Sequence, residues 1–138
     1  MDFTYLVTPF AAWLVTGVLK FSINSFKAKQ LAFSLIGYGG MPSNHSAIVS
    51  SMAMMIALRE GIDSAAFGVA ITLAYIVMLD ANSLRRQIGK QAEVINKLSA
   101  EQKPLRERMG HSRAEIVAGI ITGMFVAWVI NSSKLLVI

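Results

Sequence analysis

The stretch SAAFGVAITLAYIVMLD, residues 64–80, decides the fold class, because sixteen uncharged residues precede its single acid, Asp80. Three other stretches contain no charge: Phe3–Leu19, Ala47–Leu58 and Ile116–Ile130. Charged residues make up only 15% of the 138-residue chain, whereas soluble domains carry about a quarter, and they crowd between these stretches. This distribution is typical of a helical membrane protein.

The sequence therefore predicts an all-α fold, a polytopic membrane bundle of about four transmembrane helices in a single domain, residues 1–138. The first segment, about Phe3–Ile23, is long enough to cross a hydrocarbon core of about 30 Å. The second segment, which ends at Leu58, is short enough either to cross or to re-enter.

The basic residues predict the topology. If four segments cross, one side holds 11 of the 13 Lys and Arg residues, and only Arg59 and Lys134 lie on the other. The positive-inside rule favours this arrangement, which places the basic side in the cytoplasm and both termini outside. A polar segment of about residues 82–110 lies on the cytoplasmic side, between the third and fourth crossings. Its apolar residues have helical spacing and predict an amphipathic helix: Leu84, Ile88, Ala92, Ile95 and Leu98.

The composition excludes several classes of function. The net charge of +5 does not indicate a nucleic-acid partner, because the basic residues flank apolar segments and form no aromatic-interleaved face. The chain has no cysteine, and its two histidines and scattered acids form no ligand cluster, so we expect no metal and no cofactor. We expect an integral protein of a bacterial or organellar inner membrane. The Gly119-x-x-x-Gly123 pattern permits close helix packing, within the subunit or across a homodimer.

The first polar motif is Gly39-Gly40-Met41-Pro42-Ser43-Asn44-His45-Ser46. Its glycines permit close approach of a ligand to the backbone, and the helix that follows presents unpaired N–H groups at the positive end of its dipole. The motif predicts an anion-binding site to which Ser43 and His45 contribute a hydroxyl and an imidazole. An ordinary loop and helix cap fits the same residues.

The second motif begins at Asp80, includes Arg85 and Arg86, and continues to Gln91. Asp80 at the end of a membrane helix needs a partner, which one arginine can supply, and the second arginine is then available to hold a phosphate in bidentate fashion. The alternative is a positively charged membrane anchor, which accounts for the arginines but not for Asp80.

In the third motif, His111 and Glu115 stand four residues apart at a predicted helix start, on one face. A carboxylate that holds one ring nitrogen fixes the tautomer and leaves the other nitrogen as a nucleophile. The alternative is an acid placed for the helix dipole beside an unrelated histidine. The chain has only two histidines, His45 and His111, and both are predicted to begin membrane helices at the cytoplasmic face. Two imidazoles, a carboxylate and several cations suit metal-independent phosphate-ester chemistry.

In their order along the chain, the three motifs resemble those of the divergent PAP2 family, small membrane proteins related to type 2 phosphatidic acid phosphatases and vanadium haloperoxidases. The resemblance covers roughly Lys20–Gly123. It implies that His45, in the position of the superfamily's Pro-Ser-Gly-His motif, is the general acid for the leaving alkoxide, and that Ser43 contacts the phosphate. It also implies that His111 is the nucleophile that forms a phosphohistidine and that Glu115 orients it.

The chain departs from the superfamily at several positions. Asn44 replaces the motif glycine, and Lys20 and Lys27 match the Lys-x6-Arg-Pro motif only loosely. Leu105 stands where the superfamily has an arginine before the nucleophilic histidine. We therefore expect a phosphate clamp built from other residues. The predicted substrate-binding residues are Arg85, Arg86, Ser43, Asn44, Gly40, Lys27, Lys20, Asp80 and Gln91.

The motifs and the resemblance together predict a membrane-embedded phosphatase that hydrolyses a lipid phosphate monoester or diphosphate through a phosphohistidine. A site on the cytoplasmic face suits phosphatidic acid, phosphatidylglycerol phosphate or a polyprenyl phosphate. The alternative is a non-enzymatic membrane protein that retains a binding site for phosphate or a lipid headgroup. Both functions predict affinity for phosphate, and only the first predicts turnover.

Overall fold

The computed structural model describes residues 2–31, 40–98, 103–107 and 109–133. Within these residues the chain forms five α-helices, which confirms the predicted all-α class. The helices are α1 (Thr4–Ala28), α2 (Asn44–Glu60), α3 (Ala65–Asn82), α4 (Leu84–Leu98) and α5 (Arg113–Ser133). Gly39 of the first motif and Lys134 lie outside the described residues.

Three helical stretches are long and apolar enough to cross a membrane: Thr4–Ala28, Ala65–Leu98, whose apolar part is α3, and Arg113–Ser133. At about 1.5 Å per residue, α1 measures about 37 Å and α5 about 31 Å, enough for a hydrocarbon core of about 30 Å. Many of their large apolar side chains are exposed, and Phe10, Leu73 and Phe125 are 65%, 55% and 60% exposed. Such side chains suit a lipid environment, and the chain is an integral membrane protein.

Local capping sets the helix boundaries. α1 continues five residues beyond the predicted end at Ile23 and stops at Lys29, which adopts a left-handed conformation. α2 stops at Gly61, whose φ of +89° is unfavourable for residues that carry a Cβ. Ser64 then caps α3 by accepting a hydrogen bond from the Phe67 N–H at 3.2 Å.

The central helix of the bundle is α2, which packs against α1, α3 and α5. It has 17 residues, about 26 Å, and is not among the stretches that qualify as membrane spans by length and composition. Five of its eight buried residues are small or carry hydroxyls, namely Ser46, Ala47, Ser50, Ser51 and Ala53, and the other three are Val49, Met55 and Ile56. Because protein covers α2 on three sides, it needs fewer large apolar residues than a lipid-facing helix. The count of four crossings stays a prediction.

Contacts at the two ends of α2 fix the directions of its neighbours. At its start, His45 lies beside His111, which precedes α5. At its end, the Arg59 Nε–H donates to Asn131 Oδ1 of α5 at 3.1 Å, and the Arg59 guanidinium pairs with Asp2 before α1. α2 and α5 are therefore parallel, and α1 is antiparallel to both. We call the end with the two histidines the histidine face and the end with Arg59 the opposite face.

The helices α5 and α2 approach closely at Gly119 and Gly123. A Cβ added at Gly119 would overlap the carbonyl oxygen of Ser43, and a Cβ added at Gly123 would overlap that of Ala47. The pattern of glycines four residues apart therefore packs α5 onto α2 within one subunit. The same glycines are not available to a second copy, so the pattern no longer supports a homodimer.

Gly123→Ala is expected to destabilise the protein, because its Cβ would meet the backbone of α2. Overpacking typically costs about 1–3 kcal/mol, which here must exceed the gain of about 1 kcal/mol in helix propensity. Thermal unfolding in detergent, followed by circular dichroism of the helices, measures the change. The control is Gly68→Ala, where a Cβ meets nothing within 4 Å and we expect equal or higher stability. Equal melting of the two variants would contradict this packing.

Candidate functional site

Two imidazoles meet at the histidine face. The ring centroids of His45 and His111 are 5.7 Å apart, and the ring planes are inclined by 58°. One backbone hydrogen bond aligns the helix starts that carry them, since the Ser43 N–H donates to the Glu115 carbonyl oxygen at 2.9 Å. The structure thus brings together the first and third sequence motifs.

Ser43 is the N-cap of α2. Its Oγ accepts a hydrogen bond from the Ser46 N–H at 3.4 Å and another from the Ser46 hydroxyl at 3.1 Å. Both serines are fully buried. The Ser43 hydroxyl is therefore engaged in the cap, while Asn44 and His45 are only partly buried and are the residues at this helix start that a ligand can reach.

A capping box formed by Ser112 and Glu115 begins α5. Glu115 Oε2 accepts a hydrogen bond from the Ser112 N–H at 2.8 Å, and Ser112 Oγ accepts one from the Glu115 N–H at 3.3 Å. The same Oε2 lies 3.4 Å from His111 Nδ1, so Glu115 serves the helix start and also faces the imidazole. Ser112 is absent from the predicted site, although the Ser-x-x-Glu spacing of a capping box is a recognisable signal for it.

The backbone around His111 is held tightly. The His111 N–H donates to the Ala81 carbonyl oxygen, at the end of α3, at 2.9 Å. Gly110, directly before it, has a φ of +85°, and a Cβ there would meet Arg86 Cγ at 2.8 Å and the Ala81 carbonyl oxygen at 3.2 Å. Glycine is suited to this combination of conformation and close approach. α3, α4 and the segment before α5 thus meet at His111.

Burial lowers the pKa of His111 below its ordinary value of 6.5, and the side chain is only 6% exposed. The Lys20 ammonium lowers this pKa further, the Glu115 carboxylate opposes both effects, and Arg85 adds a smaller lowering. The imidazole is therefore neutral at neutral pH. A neutral imidazole keeps the lone pair that a nucleophile requires.

Two of the predicted cations act on the histidine pair. Lys20 of α1 and Arg85 of α4 each interact electrostatically with both imidazoles. They come from different helices and place positive charge beside the rings. An anion at the histidine face would therefore be attracted by the charges of two cations and could contact two imidazoles.

The remaining predicted residues lie elsewhere. Gly40 is buried near Asn24, and the exposed residues are Arg86, Lys27, Asp80 and Gln91. In the part of the chain that the structure describes, Asp80 forms no ion pair with either arginine, so the expected pairing is wrong. The physical reason is that α3 continues to Asn82 and α4 starts at Leu84, which places the acid and the arginines on different helices.

Four buried side-chain atoms have no hydrogen-bond partner among the described residues: His45 Nδ1, His111 Nδ1, Asn44 Oδ1 and Asn82 Oδ1. Buried polar atoms are normally paired, so a group of unpaired ones at one end of a bundle is typical of a binding site. Asn82 follows Ala81, which holds the His111 backbone, and it is absent from the predicted site. Its position within the second motif was the only sequence signal for it.

The sequence profile of the Divergent PAP2 family matches residues 1–126, which include all three motifs. The chain belongs to this family. The resemblance drawn from the motifs is thereby confirmed. The chain also resembles a protein of Bacillus subtilis (strain 168) named "Uncharacterized membrane protein YuiD". The two are 35% identical over 145 residues, which cover 91% of this chain and 92% of that protein. No solved structure matches the chain significantly.

The charges beside His111 are expected to shift its pKa in opposite directions. Lys20→Gln removes a cation and is expected to raise the pKa, whereas Glu115→Gln removes an anion and is expected to lower it. NMR titration of isotopically labelled histidine in detergent measures the shifts, because the chain has only two histidines and His45→Gln assigns them. Glu93→Gln, whose carboxylate pairs with Lys97, is the control and is expected to change nothing.

Shifts of the same sign in Lys20→Gln and Glu115→Gln would contradict the positions of these two charges. An unchanged His111 pKa in both variants would contradict them as well.

Proposed function

We propose that the protein is a membrane-embedded phosphatase that hydrolyses a lipid phosphate monoester or diphosphate without a metal ion. The observation that supports this most strongly is a pair of imidazoles 5.7 Å apart with a carboxylate behind one of them. The first imidazole can attack phosphorus, and the second can protonate the leaving group. Membership of the Divergent PAP2 family adds support, since its motifs resemble those of type 2 phosphatidic acid phosphatases.

In the first step, His111 attacks the phosphorus atom of the substrate. Its Nδ1 faces Glu115, so the other ring nitrogen, Nε2, forms the new bond to phosphorus. The distance of 3.4 Å to Glu115 is longer than an ordinary hydrogen bond, and such contacts often shorten once a substrate binds. The carboxylate stabilises the positive charge that develops on the imidazole.

The bond from phosphorus to the lipid oxygen breaks in the same step. His45, which takes up a proton from solvent when the anionic substrate binds beside it, donates that proton to the departing oxygen. Neutral His45 then accepts a proton from a water molecule that attacks the phosphohistidine. This second step releases inorganic phosphate and restores His111. Lys20 and Arg85 stabilise the phosphoryl oxygens in both steps, because both act on the space around the two imidazoles.

The proposed substrate contacts are those that the geometry supports. Asn44 and Asn82 have unpaired, buried amide oxygens at the histidine face and are proposed to contact the substrate. Four of the predicted residues remain outside the mechanism because their side chains are exposed: Arg86, Lys27, Asp80 and Gln91. Phosphatidic acid, phosphatidylglycerol phosphate and polyprenyl phosphates all fit a site that lies where membrane helices begin.

A non-enzymatic protein that binds a phosphate headgroup is the second candidate, and one observation favours it. Leu105 occupies the position where the phosphatase superfamily has an arginine. Its N–H donates to Asn96 Oδ1 at 2.7 Å, and its carbonyl oxygen accepts from Asn96 Nδ2 at 2.9 Å, so this segment is held on α4. Without that arginine, Lys20 and Arg85 can still bind phosphate, but the transition state receives less charge stabilisation.

Phosphate release from a panel of lipid phosphates distinguishes the two functions. The purified wild type is expected to hydrolyse at least one member of the panel, and His111→Ala is expected to be inactive. His45→Ala is expected to be slower by about 10²–10⁴-fold, the usual contribution of a general acid. Arg113→Gln, at an exposed position of the same helix start, is the control and is expected to stay active. A wild type that is inert on every substrate, or an active His111→Ala, rules out the catalytic proposal.

Trapping of the intermediate gives an independent readout. Substrate with labelled phosphorus, quenched during turnover, is expected to label the wild type but not His111→Ala, because only His111 carries the phosphoryl group. Phosphohistidine is labile in acid and stable in alkali, which distinguishes it from a phosphoserine at Ser43 or Ser46. A label that persists in His111→Ala would assign the nucleophile to another residue.

A further inference from the structure

The helix α4 has three different sides. One side is covered by residues 103–107, since a Cβ at Gly89 would overlap the Glu107 carbonyl oxygen and Asn96 exchanges two hydrogen bonds with Leu105. A second side is charged and carries Arg86, Lys90, Glu93 and Lys97. The third side is apolar and between 41% and 82% exposed, and consists of Leu84, Ile88, Val94, Ile95 and Leu98.

The membrane helix before it fixes where α4 begins. Only Ser83 separates α3 from α4, and the Ser83 N–H still donates to the Leu79 carbonyl oxygen at 2.8 Å. Asp80 is the first charge after the long apolar stretch of α3 and is exposed. Because a charge is costly inside hydrocarbon, Asp80 marks the level at which the apolar region of the membrane ends. α4 therefore begins at the membrane surface.

We propose that α4 lies on an anionic bilayer surface, with its apolar side in the boundary between headgroups and acyl chains. Five exposed apolar residues on one side give it the character of an interfacial helix. Its four basic residues and one acid give a net charge of +3, which complements anionic headgroups. The long Arg and Lys side chains of the charged side can reach those headgroups from the interface.

This contact has a consequence for the histidine face. Arg85 belongs to α4 and acts electrostatically on both imidazoles. The start of α4 also lies against Gly110, through the backbone nitrogen and Cγ of Arg86. A bilayer surface that binds α4 therefore also fixes the position of Arg85, one of the cations near the two imidazoles. The proposal does not rest on turnover, because the same surface would hold α4 in a protein that only binds phosphate.

Single-cysteine reporters test the proposal directly, since the chain has no cysteine of its own. Ile95→Cys probes the apolar side of α4 and Glu93→Cys probes the charged side. In nanodiscs of phosphatidylcholine with phosphatidylglycerol, Ile95→Cys is expected to react with a water-soluble maleimide about tenfold or more slowly than Glu93→Cys, because burial of an apolar side chain disfavours its exposure to water. A fluorophore on Ile95→Cys is expected to be quenched by brominated acyl chains.

The charge dependence is tested in the Ile95→Cys background. Adding Lys90→Gln and Lys97→Gln is expected to increase labelling in the anionic nanodiscs by several fold. Lys29→Asn removes a positive charge directly after α1, at the same face, and is the control, expected to leave labelling unchanged. Thermal unfolding of each variant shows that the fold is intact.

Three results would overturn the proposal. Equal labelling rates of Ile95→Cys and Glu93→Cys in nanodiscs would show that the apolar side faces water. Disulfide formation between two Ile95→Cys chains, without quenching by brominated lipid, would show that a second copy covers it. Equal protection in phosphatidylcholine alone, with no effect of the two lysine substitutions, would remove the role of anionic lipid.

Discussion

The close contact between the first turns of α2 and α5 is the constraint on which the rest of the structure depends. Gly119 and Gly123 allow the two backbones to approach, and the hydrogen bond from Ser43 to Glu115 sets their register. With that register, His45 and His111 reach the same level at one end, and Arg59 reaches Asn131 at the other. A slip of one helical turn, about 5.4 Å, would separate both pairs.

The interior of the bundle is polar for a membrane protein, yet hydroxyls within it are paired. Thr8 and Thr16 of α1 donate to backbone carbonyl oxygens one turn earlier, both at 2.6 Å, and Ser50 of α2 donates to the Ile120 carbonyl oxygen at 3.3 Å. The unpaired buried atoms found among the described residues belong instead to side chains at the histidine face. Satisfied polar groups hold the helices together. Unsatisfied polar atoms at a single end indicate where a ligand could supply the missing hydrogen bonds.

The helical class and the grouping of histidines could be predicted from the sequence, because hydrophobic runs and helix starts are local signals. The environment of α2 could not, since a short run rich in serine and alanine does not reveal that three helices surround it. The glycine pattern predicted close packing but not its partner, because Gly119 offers the same small surface to any helix. Asp80 was expected to pair with one of Arg85 and Arg86, but a helix boundary at Ser83, which depends on the tertiary fold, separates it from both. Asn82 carried no distinguishing spacing at all.

The central position of α2 also constrains how the protein is made. Its main partner, α5, begins at Arg113, more than fifty residues after α2 ends at Glu60, so a ribosome completes α2 long before α5 exists. A helix with so many serines and alanines gains little from lipid alone, and insertion favours Leu, Ile and Phe over polar residues. Until α5 is synthesised, α2 therefore depends on packing against α1 and α3. In a chain truncated before α5, the backbone of α2 at Ser43 and Ala47, which Gly119 and Gly123 normally cover, would be exposed in the membrane. Such a chain would be a substrate for quality-control proteases.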